Sequence, residues 1–516
     1  MVLARCRLWL SSLSLARMSS STATNDNLTF HMRPPPSKAH HHRPIPSDAF
    51  PRGYLLGGIH AGVKKYPGIL DLALVVSNTH EPASAAGVFT RNAVAAAPVL
   101  VSQAVLEQTR GRVRSVVVNS GCANAVTGKK GLEDAWEMVK AADSVGNKVV
   151  GTESVGEKGS GPSSLAMSTG VIGQLLPINK IITGVQSFST STDNSESTTD
   201  LGSTFTHWER AARAFMTTDT FPKLRAASFT AGGREYHIGG MTKGAGMIHP
   251  DMGLPSSGKK AELHATLLGL ILTDAPVTPR ALRAAVAYAT DRSFNSISVD
   301  GDMSTNDTVL VLANGAGVPT DQLEASTIDL KEESEGEMQS EAFVQFRDAL
   351  TNFAAELAQL VVRDGEGATK FVTVTVEEAA TYADAHAIAS RISTSALVKT
   401  ALYGEDANWG RILAATGSIP SSSLSKPLDP SLISVSLIPS PSPSSPSSST
   451  PSASVSPFPL LVNGEPVKVD EVRAKEILQN EDIEILVKLG LGNESAKYWT
   501  CDFSYEYVRI NGDYRS

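Results

Sequence analysis

Apolar residues along this chain recur with two different periods. The runs "ILDLALVV" (Ile69 to Val76) and "VRSVVVN" (Val113 to Asn119) are short, apolar and rich in β-branched residues, the signature of buried strands. "KFVTVTV" (Lys370 to Val376) alternates apolar and polar positions and predicts a half-buried strand. By contrast, "GLEDAWEMVKAADSV" (Gly131 to Val145) spaces its apolar residues for one face of a helix. "PRALRAAVAYATDRSF" (Pro279 to Phe294) and "SEAFVQFRDALTNFAAELAQLVV" (Ser340 to Val362) predict two more helices. From Gly53 onward the mixture predicts a layered α/β architecture, although the strand order is not readable from the pattern.

Three stretches break the pattern and are expected to be mobile surface insertions: "QSFSTSTDNSESTTD", the acidic "DLKEESEGEMQSE", and "IPSPSPSSPSSSTPSASVSPFP", the core of a low-complexity Pro/Ser insertion at about residues 418–458. Serine, proline and charge at that density bury too little apolar area to offset the entropy of ordering. The Pro/Ser tract is not expected to join two domains, because the residues after it read as strands that need an existing sheet. Near the start, "RPPPSKAHHHRPIP" makes residues 28–50 an expected disordered segment, with His40, His41 and His42 read as spacer rather than metal ligands.

Composition narrows the classes. With 516 residues, 41% of them hydrophobic, the chain can bury a sizeable core in more than one structural unit. A net charge of −8 without a basic run argues against a nucleic-acid partner. The longest apolar runs fall short of the roughly 20 residues that cross a membrane, so a soluble mature protein with a small-molecule partner is the expectation. Three scattered cysteines supply neither a disulfide framework nor a zinc site. The first residues, "MVLARCRLWLSSLSLARMSSSTATN", carry arginines and serines and no acid, so residues 1–27 are expected to be a mitochondrial transit peptide.

One run carries candidate chemistry. In "ELHATLLGLILTDAPV" (Glu262 to Val277), Thr266 stands at the head of an apolar strand, after the small Ala265. A strand-starting threonine is one reading. The other is a nucleophile whose own α-amine acts as base once the Ala265–Thr266 bond is cut. An α-amine titrates at about 7.7–8.0, near enough to neutrality to take the hydroxyl proton.

Around it, nine motifs occur in order: "VVNSGCANAVTGKKGLEDA", "MSTGVIGQLLP", "MTTDTFPK", "GGMTKGAGMIHP", "ATLLGLILTDAPV", "SVDGDMSTNDT", "DGEGATKFVTV", "ALYGEDANWGRI" and the terminal "YVRINGDYRS". Together they closely resemble the bifunctional ornithine acetyltransferase family of arginine biosynthesis, in its fungal mitochondrial form, over most of Pro51 to Ser516.

The resemblance implies an α/β fold, a layered α-β-β-α sandwich of the self-processing type with a smaller C-terminal α/β part. It implies a precursor cut between Ala265 and Thr266 into an α chain (residues 51–265) and a β chain (residues 266–516), assembled as a heterotetramer of two α and two β chains. Thr266 would take the acetyl group of N-acetylornithine and pass it to glutamate, with no cofactor and with acetyl-CoA as a possible second donor. Thr169 and Gly170 match the family's oxyanion pair. Thr217, Lys243, Glu366, Asn511 and Ser516 match substrate-binding positions, with Thr218 an alternative to Thr217, and Ser516 replacing the family's usual threonine. Without the family, Lys243 would read as a solvated surface lysine.

Two features temper the match. The polar segment Gly253 to His264 lengthens the stretch between "KGAG" and the nucleophile relative to the family. It leaves open an unprocessed, non-catalytic relative, and the self-cleaving strand alone also allows an aminopeptidase-like hydrolase. Asp300, Asp302, Asn306 and Asp307 lack the calcium-loop spacing and are expected to brace turns, with no metal. Cys122, in a Gly/Asn-rich loop, is read as packing. Glu405 and Asp406, ahead of "NWGR", receive no role.

Overall fold

The computed structural model describes residues 34–151, 161–190, 199–255, 267–333, 336–338, 340–439 and 456–512. The expected leader, part of the segment before Ala265, the centre of the Pro/Ser tract, and Ala265, Thr266 and Ser516 themselves lie outside the described residues.

Three sheets organise the body. The first runs Tyr54–Ile59, Leu72–Ser77, Ser115–Cys122, Ser164–Val171 in spatial order, and only its last pair is parallel. Every residue of Leu72–Ser77 is buried, because apolar groups cover both faces; hence the continuous apolar run in the sequence. The helices Ala97–Gln108, Gly128–Val150, Ile178–Ser187 and Phe205–Phe215 pack around this sheet.

The second sheet carries Met252–Gly253, Ala83–Thr90, Thr308–Ala313, Leu268–Thr273, Arg234–Lys243 and Lys223–Ala231, in that order. Leu268–Thr273 and Thr308–Ala313 are parallel, and the helix Pro279–Asp291 lies on the connection between them. Alternation along Leu268–Thr273 separates two cores. Leu268, Leu270 and Leu272 face the core shared with the first sheet, while Ile271 faces the core under the helices Pro279–Asp291 and Glu341–Arg363. The result is the layered α/β arrangement expected, with strands between helical layers.

The smaller C-terminal part has its own core around a third sheet, ordered Ile297–Ser298, Glu494–Cys501, Phe371–Ala379, Asp482–Lys488, Ser434–Ile438, Phe458–Val462, Glu465–Pro466. Strands from both sides of the Pro/Ser tract pair here: Val435 lies opposite Leu461, and Phe371–Ala379 runs parallel to Asp482–Lys488. Among the described residues, no helix is long and apolar enough to cross a membrane.

Four stretches differ from expectation. Two segments expected to be mobile insertions contribute strands: Ser189–Thr190 pairs parallel with Asp200–Leu201, and Ser434–Ile438, within residues 418–458, lies between two neighbours in the third sheet, because its apolar positions join a core set by distant strands. Residues 34–50, expected to be disordered, form two short 3-10 turns fastened to the body. Lys38 Nζ lies 2.5 Å from Glu481, His42 Nε2 lies 3.0 Å from Glu209, and Phe50 stacks on Trp208 with ring centroids 4.5 Å apart. A proline- and histidine-rich composition does not register anchors supplied by residues far along the chain. In the acidic insertion, Lys331–Glu333 pairs antiparallel with Gly336–Met338, where only a loop was expected.

Candidate functional site

The site forms where strand ends from the first two sheets meet three loops. Lys243 ends the strand Arg234–Lys243 and pairs in register with Leu268 of the neighbouring strand. It is 1% exposed, so the solvated-surface reading is overturned: its ammonium points inward and donates to Thr169 Oγ1 at 3.2 Å. Burial pushes its pKa below the usual lysine range, and Asp219 opposes that shift.

Thr169 and Gly170 close the strand Ser164–Val171, with Gly170 opposite Gly121. Gly170 has φ of +126°, and a Cβ there would lie 2.4 Å from the Gly121 carbonyl carbon. Only glycine satisfies both constraints.

Asp219 ties the loops together. Its carboxylate accepts from Lys223 Nζ at 2.5 Å, from the Gly244 N–H at 2.7 Å and from the Thr217 N–H at 2.8 Å. Lys223 also donates to Asp364 at 2.6 Å, and Asp364 accepts from the Thr220 N–H at 2.9 Å. This buried Asp219–Lys223–Asp364 group fixes the Thr217 loop and the "KGAG" turn against the segment that carries Glu366. Glu366 is held by its N–H on the Ala245 carbonyl at 2.8 Å, and its carboxylate accepts from Asn511 Nδ2 at 3.0 Å. Thr217 is half-buried and Thr218 exposed, which favours Thr217 as the inward-facing residue.

The head of the central strand is pinned as well. Leu267, the residue after Thr266, donates its N–H to Asp307 Oδ1 at 2.9 Å, and its carbonyl accepts from the Thr308 N–H at 3.1 Å. The structure thus brings Thr169, Gly170, Thr217, Lys243, Glu366 and Asn511 around one strand head. The polar cluster near it braces turns. Asp300 accepts from the N–H groups of Met247 at 2.5 Å and Ile248 at 2.9 Å, and Asn306 Nδ2 donates to the carbonyls of Ala123 and Ser168, each at 2.7 Å. Among the described residues, no three His, Cys, Asp or Glu side chains are grouped to hold a metal ion.

Asp219, Lys223 and Asp364 were not singled out from the sequence. The only local signal is the spacing of four between Asp219 and Lys223, which ordinarily marks a helical ion pair, here in a proline-containing loop. Cys122 is buried and donates to the Gln174 carbonyl, as a packing residue would.

Asp307 makes stability depend on pH. Burial pushes its carboxyl up to about 6 from an ordinary 3.8, against the N–H groups of Leu267 and Ser304 that favour the charged form. The native state therefore holds this proton more tightly than the unfolded chain. Its stabilisation is complete below 3.8 and is lost as pH rises through about 6. Between pH 4 and 7 the unfolding free energy should fall by about 2–3 kcal/mol more in the parent than in Asp307→Asn. Urea unfolding in a single-chain Thr266→Ala background checks this, and parallel pH profiles for the two proteins would refute it.

A layered α/β enzyme with a buried lysine, a hydroxyl, a carboxylate and a glycine-turned backbone around one strand head is the class that this fold and site define. Comparison with known proteins is specific: the model of the ArgJ family matches residues 55–516, and the chain belongs to the ArgJ family. The mitochondrial arginine biosynthesis bifunctional protein ArgJ of Postia placenta is 61% identical over 489 residues, 95% of this chain and 97% of that protein. Its namesake in Laccaria bicolor is 58% identical, covering 98% of this chain and all (100%) of the relative. Among solved structures, the arginine biosynthesis bifunctional protein argJ of Bacillus halodurans is 35% identical and covers 47% of this chain and 96% of its own, with a TM-score of 0.37.

Proposed function

We propose that this ArgJ-family chain, a mitochondrial acyltransferase of arginine biosynthesis, moves the acetyl group of N-acetylornithine to glutamate through an acetyl ester on Thr266. The observation that carries this reading is the contact between buried Lys243 and Thr169 beside Gly170, at the head of the strand that follows Thr266. Because Thr169 Oγ1 accepts from Lys243, its hydroxyl hydrogen is left to donate. With the backbone N–H of Gly170, it supplies two donors for the oxygen of a tetrahedral intermediate.

The nucleophile is made first. The Thr266 hydroxyl attacks the Ala265 carbonyl, the peptide becomes an ester, and water opens it to leave a carboxylate on Ala265 and a free α-amine on Thr266. That amine then accepts the hydroxyl proton as Thr266 attacks the acetyl carbonyl, and ornithine departs with the proton returned to it. The glutamate amine reverses the steps and leaves as N-acetylglutamate. Lys243 holds the substrate α-carboxylate, and Glu366, steadied by Asn511, receives the side-chain ammonium of ornithine. Thr217 and Ser516 are the remaining substrate-binding residues. Exchange of one acetyl amide for another is close to thermoneutral, so no energy source is required; acetyl-CoA serves as an alternative donor. Residues 1–27 act as the transit peptide, and two α and two β chains assemble.

Incubation with N-acetylornithine and no acceptor should leave an acetyl mass on the peptide that begins at Thr266. An acetyl group found only on another residue would overturn this assignment.

A further inference from the structure

Lys64 is a second cation beside the site, and neither the motifs nor the mechanism above uses it. It lies in the loop between the strands Tyr54–Ile59 and Leu72–Ser77. Asp71 shapes that loop by accepting the N–H groups of Ala61, Gly62, Val63 and Lys64 at 2.6, 3.1, 2.8 and 2.9 Å. The half-buried Lys64 side chain then crosses Gly121, where a Cβ would come within 3.0 Å of its Cγ. Gly121 is the register partner of Gly170, so Lys64 is one residue layer behind the oxyanion pair. Its Nζ donates to the carbonyl of Leu70 at 2.8 Å and to that of Met216, the residue before Thr217, at 2.7 Å.

Two of its three N–H donors are thereby spent on carbonyls, and the third is not. Among the described residues, no carboxylate forms an ion pair with Lys64 or with Lys243. The Asp71 carboxylate is engaged by backbone, and Asp219 by Lys223. Burial depresses Lys64 to about 8, with Asp71 and Asp219 opposing that shift and the Lys243 ammonium adding to it. Two half-compensated ammonium groups near enough to interact are costly alone and favourable once carboxylates arrive. The two amino acids of the reaction differ in just this respect: ornithine brings one carboxylate, and glutamate brings two.

We propose that Lys64 is the specificity-determining cation for the acceptor, receiving the side-chain carboxylate of glutamate while Lys243 holds the α-carboxylate. This rests on the transferase reading above. Glu366 and Lys64 then divide the side-chain subsite by charge, one for the ammonium of ornithine and one for the carboxylate of glutamate.

The test compares glutamate with glutamine, which has the same shape without the second charge, as acceptors from N-acetylornithine in Lys64→Gln, Lys64→Met and Lys64→Arg proteins. Each ratio is taken within one protein, so partial loss of folded enzyme cancels. In Lys64→Gln and Lys64→Met the KM for glutamate should rise about 10- to 100-fold, and the preference over glutamine should collapse by a similar factor. Ornithine release in a single turnover without acceptor should change by less than about twofold, and Lys64→Arg should recover much of the preference. An unchanged glutamate-to-glutamine ratio in Lys64→Gln would overturn the proposal. So would an equal loss with both acceptors, which would mean that Lys64 acts only by holding the Met216 loop. If the unmodified protein releases no ornithine from N-acetylornithine, the transferase reading itself fails, an outcome distinct from both.

Discussion

Replacing Thr266 by alanine should give a single uncut chain whose transferase activity falls by at least about 1000-fold, the scale of losing a nucleophile that acts as a unit with its base. Both proposed jobs of Thr266 need its hydroxyl: one attack generates the free α-amine, and the next uses it. The fold should survive, because Leu267 keeps its bond to Asp307 and the strand Leu268–Thr273 keeps both neighbours in the sheet. Thr266→Ser retains the hydroxyl and should still cut, more slowly, because loss of the β-methyl frees the χ1 rotamer that aims the oxygen. A denaturing gel and an assay for ornithine release read both effects. A fully active Thr266→Ala protein would discard the mechanism. One uncut band from the unmodified chain would instead point to the segment Gly253 to His264 as a block to processing.

Legibility in the sequence followed the range of the interactions. The helix Glu341–Arg363 was readable nearly to its ends, because its apolar period is local and Ser340 caps it by accepting from the Phe343 N–H at 3.2 Å. The third sheet was not, because Phe371–Ala379 finds its parallel partner in Asp482–Lys488, beyond the Pro/Ser tract. Lys243 shows the same limit at the site. Its motif marked a position, but its burial depends on Thr169 and Asp219, which come from other parts of the chain. Residues 34–50 were misread for the converse reason: their composition is that of a spacer, whereas Glu209, Trp208 and Glu481 hold them.

The other large effect is expected at Asp219, which lies in "MTTDTFPK" but received no role from the sequence. Asp219→Ala removes the shared acceptor of three segments at once. Lys223 is left with Asp364 alone, Lys243 loses the Asp219 charge that opposes its desolvation, and the N–H groups of Gly244 and Thr217 lose their partner. Stripping one member from a buried, hydrogen-bonded charge group costs about 3–5 kcal/mol. For a body of this size, at about 2.1 cal/mol/K per residue, that corresponds to a fall of roughly 3–5 °C in Tm. Burial alone would raise the Asp219 pKa, but Lys223 and Lys243 outweigh it and hold the carboxyl well below its ordinary 3.8. With the folded value depressed, its stabilisation is complete above 3.8 and is lost only as pH falls through the lower folded value, so the deficit should be constant from pH 5 to 8, unlike that of Asp307. Activity should fall too, because Thr217 and the "KGAG" turn are positioned through this one carboxylate. Coupling separates this account from a simple cavity effect: with Lys223→Met in the background, Asp219→Ala should cost much less than it does alone, because the charge it would strand is already gone. Additive losses in Tm for the two substitutions would show that Asp219 does not hold the site through Lys223.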